Sequence, residues 1–95
     1  MQATLPLPQN ISRSALTRLR ADLSRRESVL DTIIKCFQKK YAMSLEAFES
    51  RLAQGQGQEH PDWEDSIEWR NAVEELQRAN LMKSVLEWLL HSKVH

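Results

Sequence analysis

The sequence predicts an all-α protein, a helical hairpin of two long helices bridged by a short one, with dimerisation into a bundle as a further option. Three observations predict it. Only two glycines and three prolines stand among 95 residues, so there is little material for sheets and tight turns. Apolar residues recur at spacings of three, four and seven over both halves of the chain. Short polar side chains stand where each apolar run begins, as helix caps require.

Residues 1–11 read as a disordered tail, and residues 12–95 as a single helical domain near the small end of what folds alone. Pro6 and Pro8 each remove a backbone donor and push the preceding residue away from helix. The first helix is expected over about 12–41, capped by Asn10 or Ser12. Its stripe is Leu16, Leu19, Leu23, Leu30, Ile33 and Phe37, widened by Ile34 and Tyr41. Arg26 falls inside that stripe, where it either snorkels or pairs with an acid on a facing helix. Lys39 and Lys40 sit where the helix dipole favours cations.

Ser44 reads as the cap of a short second helix, about 45–53, with Glu46 in its first turn. Leu45, Phe48 and Leu52 form its apolar side. A helix this short does not stand alone in water, so it is expected to lie on the long first helix with Phe48 as the anchor. Gln54 to Pro61 reads as a flexible connector. Asp62 then caps a third helix, about 63–91, with Pro61 blocking backward extension and Glu64 and Asp65 in the first turn.

The third helix carries two apolar faces. Trp69, Ala72, Val73, Leu76, Ala79, Leu86 and Leu90 form the face expected to pack on the first helix. Trp63, Ile67, Leu81, Val85 and Trp88 form another, with Met82 and Leu89 beside it, interrupted by Arg70, Glu74 and Gln77. The short helix is one candidate cover for Trp63 and Ile67. Leu81, Val85, Trp88 and Leu89 are left over, and an intermolecular contact is the expected use of them. Trp63 and Trp69 are six residues apart and point about 120° from each other. Trp69 is expected in the core. For Trp63 two readings stand: packing on Phe48, or a partner-binding anchor ringed by acids.

Net charge is zero, yet residues 1–41 hold eight basic and three acidic residues, and residues 42–95 hold five and ten. A basic helix packing beside an acidic one explains this. A basic face for nucleic acid is the alternative, through Arg18, Arg20, Arg25 and Arg26, and only weak binding is expected of it because no aromatics interleave. Nothing in the residues assembles into a catalytic set. Cys36 has no histidine near it in sequence and reads as a small hydrophobe. His91 and His95 are four apart without a third ligand, so no metal is expected. Glu64, Asp65 and Glu68 read as solvated charges facing a helix N-terminus. Neither glycine-rich phosphate loop is present. No cofactor and no enzymatic activity are expected. One cysteine, no apolar run of membrane-spanning length and no secretion signal point to a cytoplasmic location.

The run from Phe37 to Phe48 (FQKKYAMSLEAF), followed by the acidic Glu59 to Trp69 (EHPDWEDSIEW), resembles small bacterial and cyanobacterial antitoxins. In these a long helix leads into a Tyr-Gly-Met-Ser turn, and an acidic tryptophan-containing segment follows. The resemblance covers roughly residues 30–70. It implies a non-enzymatic protein that neutralises a toxin encoded nearby by direct binding. A self-assembling structural protein and a small nucleic-acid-binding regulator are the alternatives. This chain departs from the family pattern at Ala42, where glycine would suit the left-handed end of a helix. Ala42 therefore either bears that strain or lets the first helix run on.

Overall fold

The computed structural model describes residues 12–56 and 59–92. The expected tail lies outside them. Three helices account for the fold: α1 (Arg13–Tyr41), α2 (Leu45–Ala53) and α3 (Glu59–Ser92). No strand occurs among the described residues. The two long helices pack against each other, with α2 at the end where they are joined.

Ser12 caps α1, its hydroxyl accepting from the Ala15 amide at 3.1 Å. At the other end Ala42 takes the left-handed conformation, φ 55° and ψ 38°, and its amide donates to the Gln38 carbonyl. Ala42 thus ends the helix, and it does so with a Cβ where glycine would carry none. Ala42→Gly is expected to raise the unfolding free energy by about 0.5–1 kcal/mol, the relief of Cβ strain less the extra unfolded-state entropy. Urea unfolding measures it, and a loss of stability would refute the strain.

Ser44 restarts the chain as a helix two residues later, accepting from the Ala47 amide at 3.1 Å. α2 closes on a left-handed Gly55 (φ 78°), with Gly55 donating to Leu52 and Gln56 to Arg51. That pair of bonds is a Schellman ending and uses a glycine the sequence reading assigned only to a flexible connector. α3 then begins at Glu59, four residues before the expected start, so Asp62 lies inside the first turn and is not its cap. Pro61 is tolerated there because first-turn amides have no intrahelical partner to lose.

The core divides in two along the hairpin. At the joined end Leu30 and Ile34 of α1, Leu45 and Phe48 of α2, and Trp69 and Ala72 of α3 are buried together. At the open end Leu16 and Leu23 pack on Ala79, Leu86 and Leu90. Leu19 and Ile33, expected in the stripe, are more than a third exposed, because they lie to one side of the line through Leu16, Leu23, Leu30 and Ile34. α2 packs chiefly on α3, not on α1 as expected. Phe48 is still its anchor: the ring lies 4.0 Å from Tyr41 and 5.6 Å from Trp69, centroid to centroid.

The charge asymmetry is spent within the hairpin. Arg20, Arg26 and Lys40 of α1 pair with Glu87, Glu75 and Asp65 of α3, and Glu27 with Lys83 in the reverse sense. Arg26 therefore pairs with an acid on the facing helix. Arg70 of α3 grips Glu49 of α2 through two nitrogens, at 3.0 and 2.5 Å.

Candidate functional site: the outward face of α3

Packing on α1 and α2 uses one side of α3 and leaves the other bare. Trp63 is 61% exposed, Leu81 67% and Trp88 65%; Ile67, Met82 and Val85 are about half exposed. Leu89 differs from the rest of the expected binding residues: it is partly buried against the open-end core. α2 does not cover Trp63 or Ile67. The short helix lies on the Trp69 side, and the rings around Phe48 are Tyr41 and Trp69. The two tryptophans of the acidic segment thus separate as their 120° offset requires, Trp69 being 1% exposed.

The bare face is a stripe with apolar ends and a charged middle. Trp63 and Ile67 lie at one end, Leu81, Val85 and Trp88 at the other, and Glu74 and Arg78 between them. The sequence reading took Glu74 as an interruption and did not single out Arg78. Both are exposed. Ile33, expected in the stripe of the first helix, instead lines a shallow groove with Val29 of α1 and with Asn71 and Glu75 of α3. The sequence does not single out Val29, because it stands off the stripe and beside polar neighbours.

The other dense constellation on α3 is a structural fastening. The Tyr41 hydroxyl donates toward Asp65 at 2.5 Å and Asp62 at 3.2 Å, and Lys40 reaches Asp65 at 2.7 Å. The hydrogen bond from Lys40, then that from Tyr41, holds the Asp65 carboxyl below its ordinary range. Burial first, then the bond to Asp65, pushes the Tyr41 hydroxyl up. Asp65 stays ionised to lower pH in the folded chain than in the unfolded one. Its contribution to stability is therefore full above about pH 4 and lost as pH falls through the folded value. Between about pH 5 and 2 the wild type is expected to lose more melting temperature than Asp65→Asn. Parallel pH profiles for the two would remove Asp65 from the account.

The remaining candidate chemistry stays apart. Cys36 is exposed on α1, not packed as a small hydrophobe. The His91 ring bonds to the Glu87 carbonyl of its own helix, and His95 lies outside the described residues. Among the described residues no three metal-ligating side chains converge, and no helix is long and apolar enough to cross a membrane. The arginines of α1 do not form one free face: Arg20, Arg25 and Arg26 each pair with an acid of this chain. No family model, no curated protein and no solved structure matches this chain.

Proposed function

We propose that this chain is a non-enzymatic protein-binding module that presents the outward face of α3 to a protein. The observation that carries the reading is the exposure of Trp63, Trp88 and four aliphatic or thioether side chains on one helix. At the roughly 150–250 Å² an aromatic side chain presents, the two tryptophans alone leave about 200–300 Å² of mostly apolar surface in water. Ile67 extends the apolar end around Trp63, and Leu81, Met82 and Val85 extend the larger end around Trp88, the kind of contiguous exposure that marks interaction surfaces. Exposed tryptophans are also the residue type most enriched among binding hot spots.

The antitoxin-like pattern between Phe37 and Trp69 names the partner class: a toxin encoded beside this chain and neutralised by direct contact in the cytoplasm. Glu64 and Glu68, exposed near Trp63, suit a basic partner. Co-expression with the product of the neighbouring reading frame, followed by co-purification, tests the reading. Leu81→Glu with Val85→Glu is expected to abolish protein association while leaving far-UV helix content unchanged, since both side chains point away from the core. Retained association in the double variant would place the binding surface elsewhere.

A further inference from the structure

We infer that the isolated protein is an antiparallel homodimer in which the outward stripe of α3 closes on the same stripe of a second copy, about a two-fold axis passing between Glu74 and Arg78. This rests on the reading of the stripe as a protein-binding surface and names its occupant in the absence of any other protein.

The stripe has the spacing of a coiled-coil seam. Ile67, Glu74, Arg78, Leu81, Val85 and Trp88 fall on steps of three, four and seven, Glu64 and Asn71 complete the rhythm at its edge, and Trp63 flanks it; this rhythm keeps one side of a helix facing a partner helix. The core-facing side of α3 follows the same rhythm through Trp69, Ala72, Leu76, Ala79 and Leu86, and α1 has taken it. So α3 carries two seams and this chain fills one.

Charge then selects direction and register. A parallel pair would set Glu74 against the partner's Glu74 and Arg78 against the partner's Arg78, which repel. In antiparallel pairing the seams interlock only at shifts of seven residues. One shift sets Glu74 against the partner's Arg78, Ile67 against the partner's Val85 and Asn71 against the partner's Leu81, each pair made twice. It also brings Trp88 beside Glu64 and Ile67 of the partner subunit. Moving one heptad lays Arg78 on an aliphatic residue instead, Leu81 in one direction and Ile67 in the other. Moving two heptads toward the C-terminal end leaves Trp63 and Ile67 uncovered.

Within the chain Glu74 has the charge of Arg70 on its own helix near it, without an ion pair among the described residues. Arg70, Glu75, Lys83 and Glu87 of α3 all reach partners on α1 or α2. Arg78 has no ion-pair partner among the described residues, and it stands one turn from Glu74 on the bare side. The overlap from residue 64 to 88 runs about 36 Å at helical rise, long enough for a stable two-helix contact.

Sedimentation of the full chain carrying Cys36→Ser tests the inference. The expected mass is twice the 11.1 kDa of one chain at tens of micromolar. Glu74→Arg and Arg78→Glu should each weaken the dimer roughly tenfold or more, and their combination should restore it to within about threefold. Ile67→Cys mixed with Val85→Cys should form a disulfide across the two-fold, and neither should form one alone. A monomer at every concentration, a double charge variant without rescue, or a Val85→Cys chain that links to itself would each overturn the dimer as drawn. A monomer that still binds the neighbouring-frame product through Leu81 and Val85 overturns the dimer and leaves the protein-binding reading standing. A monomer that binds neither overturns both.

Discussion

Trp69→Ala is expected to lower the unfolding free energy by about 3–5 kcal/mol. Trp69 is 1% exposed, and its ring packs on α1 and α2 from its place on α3. Its ring stacks 5.6 Å from Phe37 and 6.2 Å from Tyr41, both of α1, and lies 5.6 Å from Phe48 of α2. Truncation leaves a cavity that three elements would have to collapse into together. In a domain this small a kcal/mol moves the melting temperature by about 4–8 °C, so the loss should fall between a sharp drop and outright unfolding. Thermal and urea unfolding measure it. Trp63→Ala is the control from the same acidic segment: its ring is in water, and the change should stay within about 0.5 kcal/mol. Equal losses in the two variants would return Trp63 to the core.

Phe48→Ala is the second large effect, about 3–5 kcal/mol, with a signature of its own. α2 has nine residues, too few for an isolated helix in water. What holds it is Phe48 between Tyr41 and Trp69, buried Leu45, and the Glu49–Arg70 pair. The pair is about a third exposed and contributes little once the ring is gone. Far-UV circular dichroism at low temperature should therefore lose the ellipticity of about nine residues while α1 and α3 stay paired. Full retention of helix content would show α2 held by its caps and the ion pair instead.

The helices were legible in the sequence because caps and periodicity agreed. Ser12 and Ser44 sit as caps where the hydroxyls read as such, and Leu16, Leu23, Leu30, Trp69, Ala72 and Leu86 are buried where the spacing put them. Three features were not legible, each for a physical reason. Pro61 reads as a helix stop, but in a first turn it breaks no bond, so α3 begins before it. The choice of α2 between two helices is decided by which groove its ring and Glu49 fit, and periodicity carries no such information. Leu19 and Ile33 satisfy a 100° stripe yet stay partly in water, because two helices meet along a line narrower than the stripe. For the outward face of α3, periodicity marked Trp63, Ile67, Leu81, Val85 and Trp88, and only tertiary packing could separate Leu89 from them.

The split core gives the hairpin a stiff end and a loose one. At the joined end three helices and four packed rings share one cluster; at the open end five buried aliphatic side chains, the Arg20–Glu87 and Glu27–Lys83 pairs and the Arg13 bond to the Leu90 carbonyl hold α1 to α3. Opening should therefore begin at Leu16 and Leu90 and travel inward, with amide exchange there governed by local fraying and that near Trp69 by global unfolding. A protease would find the open end first. Leu81, Val85 and Trp88 stand on that looser half of α3, so whatever settles on them also splints the part of the molecule most in need of it.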